Sequence, residues 1–377
     1  MSVISMKVLM VTPSYYPIKG GAETVIRNLS TQLNKIGVQT DIMAFNMNRK
    51  WNPSWQAKIE KADGINIFKI PALNWFPMAH SDRITLGINL IPGRFRNRLK
   101  KYDIIHFHGG DLTFPLFSYT INKPKIFHSH GFSSDFYKRY FLSRLILKSI
   151  ADLYISLSQR MQRELIDLGI PKNKIRILSN GIDAKIFHPS DKKTDNMILL
   201  VGRITFGKGI HILLESLRYL SKKVHLVIIG PSDCDVEYFT EMLRRIDNEN
   251  KRGIHKITYL GAQEPTNIIK WYQKASIFVL PSFKEAFAVV NLEALACETP
   301  VIATNIGGIP EVIQHGKNGI LIPPNNAIKL AEAIQYLLDN KDVRARFGRE
   351  GRKFVVENFS CSVIAKKLSR IYEEMLI

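Results

Sequence analysis

Short apolar runs alternate with stretches of helical period along most of this chain, and that alternation restricts the fold more than any other feature. Lys7–Thr12 is an apolar run. Val25, Leu29, Leu33 and Ile36 then recur at helical spacing, Gly37 stands where a helix would stop, and Val38–Phe45 reads as a second strand. Leu153–Leu157, a helical stretch Gln159–Leu168 and Lys174–Leu178 continue the pattern. It restarts at Met197–Val201, with a helix after Lys208 and further runs at Val224–Ile229, Lys256–Leu260, Ile277–Leu280 and Val301–Ala303. Strands apolar on both faces and separated by helices imply parallel sheets covered on each side, an α/β class. A chain of 377 residues exceeds one ordinary core. The polar stretch Phe187–Lys193 is the natural linker, which gives a first domain 1–188, a second 189–358 and a closing helix 359–377 that crosses back to the first.

Charge narrows the partners. The net charge is +20, of which residues 1–188 carry +15 and residues 189–377 only +5. A polyanionic surface, nucleic acid or an anionic membrane, is expected to face the first half. Two local sources stand out: Arg94, Arg96, Arg98, Lys100 and Lys101, and a basic amphipathic helix from Tyr137 to Lys148. Residues 46–94, with Trp51, Trp55, Trp75 and Phe76, read as long aromatic-bearing loops. Three scattered cysteines suit reduced thiols and a cytoplasmic setting. No apolar window is long enough to span a bilayer, and Lys7 within the first apolar run argues against a cleaved signal peptide.

Candidate chemistry gathers where strands end. The run Ile277–Leu280 stops at Pro281-Ser282, Glu285 follows in the loop, and Val289, Leu292 and Leu295 mark a helix that carries Glu293 eight residues later. Ligands bind at such carboxyl strand ends in open α/β sheets. Glycoside hydrolysis needs two carboxyls facing each other across one bond, whereas a loop glutamate and a helix glutamate suit different parts of a long, hydroxyl-rich ligand. Gly202–Gly209 lacks the P-loop spacing, since Gly209 stands where Ser or Thr would bind magnesium. Arg203 and Lys208 nevertheless flank a glycine-bearing loop at a helix start, an arrangement suited to a diphosphate. Gly20-Gly21 before the first helix suits close approach of a phosphate. His106-Phe107-His108 and His128-Ser129-His130 place two imidazoles on one face of each strand. A zinc hydrolase built on them is one alternative; His130 beside Gly131 is the better candidate for touching substrate.

Together these residues resemble glycosyltransferase family 4, the retaining glycosyltransferases of GT-B fold. The resemblance rests on Gly20-Gly21-Ala22-Glu23, His130-Gly131, Asn180-Gly181-Ile182-Asp183, Gly202-Arg203 with Lys208-Gly209, Phe278–Ser282, the Glu285 and Glu293 pair, Gly307-Gly308-Ile309-Pro310-Glu311 and Asn318-Gly319. It implies two Rossmann-like domains with parallel sheets facing across a cleft, the donor held mainly by the second and the acceptor mainly by the first. It implies that Arg203 and Lys208 bind the donor diphosphate, Glu285 contacts the transferred sugar and Glu293 the ribose. Backbone N–H groups of Phe287, Ala288 and Val289 would help hold phosphate or sugar, Gly20 and Gly21 would close on the diphosphate, and His130 would orient the sugar.

No metal and no cofactor is expected beyond a nucleotide-diphosphate sugar as donor substrate. The acceptor would be a glycan or lipid-linked, in polysaccharide, glycolipid or glycoprotein glycan synthesis. The protein would be cytoplasmic, with the first domain on the inner face of the cell membrane. Ala288 and Glu298 depart from the family, which often has glycine at both. A nucleic-acid-binding protein is the other alternative, but no RNA- or DNA-binding module is recognisable and none is expected to bind.

Overall fold

The structure is a computed structural model that describes residues 6–18, 20–46, 54, 56–70, 97–109, 122–130, 134–139, 141–190, 193–232 and 235–377. Trp51, Trp55, Trp75, Phe76, Arg94, Arg96 and Gly131 lie outside the described residues. The chain divides into two compact units, residues 1–181 with 361–377, and residues 182–360.

The first unit contains β1 (Lys7–Thr12), α1 (Gly21–Lys35), β2 (Gln39–Phe45), β3 (Lys58–Ala62), β4 (Ile65–Ile70), β5 (Ile104–His108), β6 (Lys125–His128), α2 (Ser134–Arg139), α3 (Phe141–Ser149), β7 (Leu153–Ser156), α4 (Gln159–Asp167) and β8 (Ile175–Ile177). Its sheet runs β3-β4-β2-β1-β5-β6-β7-β8. Every pairing is parallel except that of β3 with β4. The chain builds outward from β1 on one side and resumes on the other at β5, so the strand order reverses between β1 and β5. Val8, Met10, Ile104 and Ile126 of the sheet pack with Val25, Leu29 and Leu33 of α1 and with Ile364, Leu368 and Ile371 of the C-terminal helix, Cys361–Leu376. Ile36, counted in the apolar stripe, is exposed because α1 has already ended at Lys35.

Two expectations for this unit need correction. Residues 58–70, read as part of a long loop, form the β3–β4 hairpin; its turn is Asp63-Gly64, both at positive φ (53° and 79°), the geometry of a two-residue hairpin turn. The helix expected over Tyr137–Lys148 is two helices, α2 and α3.

The second unit contains β9 (Met197–Val201), α5 (Ile210–Ser216), β10 (His225–Ile229), α6 (Val236–Arg252), β11 (Lys256–Tyr259), α7 (Pro265–Lys274), β12 (Ile277–Leu280), α8 (Val289–Ala296), β13 (Val301–Thr304), β14 (Gly319–Ile322), α9 (Ala327–Asp339) and α10 (Lys341–Phe359). Its sheet is parallel throughout, in the order β11-β10-β9-β12-β13-β14. Ile198, Leu200, Leu226, Ile228, Val279 and Ile302 join Leu213, Leu330 and Ile334 of the covering helices in one core. Here the order reverses between β9 and β12, so the loops that follow these two strands become neighbours.

The unit boundary falls at 181/182 rather than 188/189, for a hydrogen-bonding reason. Ile182 N–H donates to Phe359 O at 2.8 Å, and Phe187 O accepts from Arg352 at 3.2 Å. Residues 182–188 are therefore tied to the second unit. The closing segment rejoins the first unit from Cys361.

Candidate active site

The β9/β12 reversal assembles residues that are far apart in sequence. Lys208, in a 3-10 turn after β9, forms an ion pair with Glu285 Oε1 in the loop after β12. Ser282 Oγ donates to the same carboxylate oxygen at 2.9 Å, and Ser282 O in turn accepts from Thr304 Oγ1 at 2.6 Å. The Lys208 and Glu285 side chains retain 19% and 10% of their exposure, enough for a ligand to reach them but little enough to limit screening. Glu285 Oε2 has no hydrogen-bond partner among the described residues. Arg203, in the same loop as Lys208, is exposed, and its guanidinium has no partner among the described residues.

Close backbone contacts fix these loops against each other. Gly209, at φ +68°, has Pro281 O within 2.0 Å of where a Cβ would stand. Gly307, at φ +56°, has Glu285 O within 1.8 Å of its own. Only glycine satisfies both the left-handed backbone and such an approach. Phe283 N–H donates to Gly207 O at 2.8 Å, and Gly308 N–H to Ala286 O at 3.1 Å. The glycine turn Gly307-Gly308 is thus a support under the Glu285 loop.

Glu293 sits in α8, away from the Lys208 pair in its bonding. Tyr272 of α7 donates its phenol O–H to Glu293 Oε2 at 2.7 Å. The carboxyl keeps part of its surface but is densely surrounded, and burial raises it to about 7, an effect the Tyr272 bond only partly offsets. Phe287 is buried against Phe359, with ring centroids 5.9 Å apart. Ala288 caps α8 in the left-handed conformation, φ 55°, and Val289 is the first helical residue. The other end of α8 is held by Lys193, whose Nζ donates to Cys297 O at 2.8 Å, Thr299 Oγ1 at 2.6 Å and Tyr272 O at 3.2 Å. A cation there satisfies carbonyls that the helix end leaves open. Burial lowers the Lys193 ammonium to about 8. Read from sequence as the end of the polar linker Phe187–Lys193, Lys193 is instead a clamp on the helix that carries Glu293.

In the first unit, Gly20 is the N-cap of α1, and a Cβ there would stand 2.4 Å from Glu23 Oε2. The buried Glu23 carboxylate also accepts from Ser14 Oγ. Gly20 thus makes room for a carboxylate of its own helix, while Gly21 has open space where its Cβ would lie. His106, His108, His128 and His130 gather at the carboxyl ends of β5 and β6. His108 Nδ1 and His130 Nε2 are 2.9 Å apart, and His106 Nδ1 lies 2.6 Å from the Tyr372 hydroxyl. Burial lowers all four imidazoles; His130 reaches about 4, with the Asn180 side chain beside it opposing the shift.

The residues singled out in sequence thus form two groups. Arg203, Lys208, Glu285, Phe287, Ala288, Val289 and Glu293 lie on the β9–α5 and β12–α8 segments of the second unit; in the first, Gly20 and Gly21 lie at the start of α1 and His130 just after β6. Ser282, Thr304, Tyr272 and Lys193 escaped notice as functional supports. Ser282 was visible as the residue after a strand and as the end of the Phe278–Ser282 motif, with no role attached, and the others act across sequence gaps that no local pattern bridges.

Two Rossmann-like α/β units with parallel sheets, and polar loops at a strand-order reversal, define the GT-B fold of glycosyltransferases. Residues 182–354 match the family described as Glycosyl transferases group 1, and residues 19–186 match Glycosyltransferase Family 4. The chain belongs to this family and is an enzyme that transfers sugars. It is 26% identical to an uncharacterized glycosyltransferase of Methanocaldococcus jannaschii, over 98% of each chain. It is 28% identical to the capsular polysaccharide biosynthesis glycosyltransferase CapM of Staphylococcus aureus, over 70% of this chain and 71% of that one. Among solved structures it resembles HepE of Anabaena in complex with UDP and glucose, with 18% identity, a TM-score of 0.78 and coverage of 98% and 100%. Neither family match describes a nucleic-acid binder or a hydrolase.

Proposed function

We propose that this enzyme transfers a sugar from a nucleotide diphosphate to a glycan or lipid-linked acceptor, with retention of anomeric configuration and without a metal at the diphosphate. The observation that carries the reading is the Lys208–Glu285–Ser282 constellation at the strand-order reversal of the second unit, with Arg203 in the same loop as Lys208 and without a partner among the described residues. Arg203 supplies a planar fork and Lys208 a point charge to a diphosphate that gains negative charge as it departs. The two cations, Lys208 held by Glu285 and Arg203 free to turn to the ligand, do there what a divalent ion does in other transferases.

Glu285 has two tasks. Its Oε1 holds Lys208, and its Oε2 accepts from a hydroxyl of the sugar. Glu293 accepts from the ribose hydroxyls, with Tyr272 fixing its orientation. His130, uncharged near neutral pH, orients the sugar through hydrogen bonds. The bond from the anomeric carbon to the diphosphate oxygen breaks, the acceptor oxygen bonds to that carbon on the same face, and its proton passes to the departing phosphate. CapM, named for capsular polysaccharide biosynthesis, supports a cell-surface glycan as acceptor, and HepE with UDP and glucose supports a nucleotide-sugar donor.

We further propose a cytoplasmic enzyme whose first unit docks on an anionic membrane. α3 presents Phe141, 74% exposed, and Leu145, 45% exposed, beside the exposed Lys148, while Arg98, Lys100 and Lys101 are exposed elsewhere on the same unit. An exposed apolar and basic face suits an anionic lipid interface.

Arg203→Ala and Lys208→Ala test the chemistry. Each should lower kcat/KM by a few kcal/mol, roughly 100-fold or more, transfer by the parent enzyme should not change when magnesium or manganese is added, and NMR of the product should show the donor's anomeric configuration. Activity of both variants within twofold of the parent, or an inverted product, overturns the assignment.

A further inference from the structure

We propose that His106, His108 and His128 form a transition-metal site in the first unit, suited to Zn²⁺; His130, assigned above to the sugar, adjoins it through His108 and is not one of its ligands. His106 and His108 are two residues apart on β5 and therefore share one face of the sheet. His108 is the direct lateral partner of His128 on the adjacent parallel strand. The three rings cluster with centroids 4.0, 5.2 and 5.4 Å apart. One nitrogen from each can be chosen so that all three lie within 4.8 Å of one another. A tetrahedral ion with Zn–N near 2.0–2.1 Å asks for nitrogens about 3.3 Å apart, a gap that imidazole rotation closes.

The hydrogen bonds leave the right atoms free. His106 Nδ1 is engaged by the Tyr372 hydroxyl and His108 Nδ1 by His130 Nε2, at 2.6 and 2.9 Å. The Nε2 atoms of both, and both nitrogens of His128, are buried without a hydrogen-bond partner among the described residues. Metal-binding histidines are commonly held this way, with the second ring nitrogen bonded to an orienting group. Buried polar atoms left unpaired are costly, and three neighbouring imidazoles in that condition call for an occupant. Imidazole donors favour zinc and its borderline neighbours over magnesium or calcium. Three protein ligands leave a fourth position for a solvent molecule. Tyr372 belongs to the C-terminal helix, so the ion would stiffen β5 and β6 and, through His106, the seat of that helix.

Untagged full-length protein, purified without chelator and desalted, should carry about one zinc per chain by mass spectrometry. Replacing it with Co²⁺ should give the visible d–d absorption of a nitrogen-ligated ion. Chelation should lower Tm, and Zn²⁺ at about one hundred times its Kd should raise it by roughly 5 °C or more. The double variant His106→Asn/His128→Asn should lose the metal, while His188→Asn, at an exposed histidine of the second unit, should keep it. Zinc-free protein that shows neither a Tm shift with zinc nor a Co²⁺ band overturns the site and leaves water as the occupant; so does metal retained by the double variant. If the double variant does not fold, the wild-type Co²⁺ spectrum and Tm shift decide alone.

Discussion

Glu285 carries more of the proposed chemistry than any other side chain, because one of its oxygens is committed to Lys208 and Ser282 and the other is left for a ligand. That division could not be read from sequence. Lys208 and Glu285 are 77 residues apart and meet only because β9 and β12 are adjacent. The identities of both were legible, since a basic residue in a glycine loop and a glutamate after a buried strand each mark a strand end. Glu293 is different: burial raises its carboxyl from 4.5 to about 7. Between those values the folded state holds a proton that the unfolded chain has lost, so the stability this group contributes is present below about pH 4.5 and lost as pH rises through about 7. Glu293→Gln, uncharged throughout, should flatten that part of the profile and be relatively more stable at pH 8 than at pH 5. Urea midpoints measured across this range check it, and parallel curves for parent and variant contradict the burial argument.

At the scale of elements, β14 (Gly319–Ile322) was not read as a strand, but most strands of both units were legible because buried parallel strands are written largely as short apolar runs. The β3–β4 hairpin was not. Lys58–Ala62 is a mostly exposed, charged edge strand, and charge on an edge guards against unwanted pairing while hiding the strand from an apolar count. The Asp63-Gly64 turn was the available signal. α8 shows another limit: its start was evident, but the clamp by Lys193 on its far end was not. Both ends of this helix involve non-glycine residues in the left-handed region, Ala288 at φ 55° before it and Glu298 at φ 57° after it. Such a residue costs about 1–2 kcal/mol relative to ordinary backbone, and glycine loses part of that gain to chain entropy. Ala288→Gly and Glu298→Gly should therefore each stabilise the protein, by about 0.5–1 kcal/mol. Chemical denaturation measures it; destabilisation by both would mean that Cβ packing outweighs backbone strain.

Over the whole molecule, the two-unit plan followed from length and from the restart of the strand–helix pattern, but the boundary did not, because backbone bonds from Ile182 to Phe359 leave no trace in composition. Charge is a property of this scale too. With +15 on residues 1–188 against +5 on the remainder, vesicle binding should require anionic lipid, weaken with salt and fall when Arg94, Arg96, Arg98, Lys100 and Lys101 are neutralised. Co-sedimentation checks this, and equal binding to neutral vesicles, or binding to neither, refutes membrane docking without touching the transferase reading. The central claim is that the second unit holds a nucleotide-diphosphate sugar through Arg203, Lys208, Glu285 and Glu293. Calorimetric titration of the full chain with UDP-, GDP- and ADP-sugars tests it most directly. One nucleotide series should bind, with affinity lowered about tenfold or more in Glu293→Ala and in Arg203→Ala; no binding by any series, or binding unchanged in both variants, would contradict it.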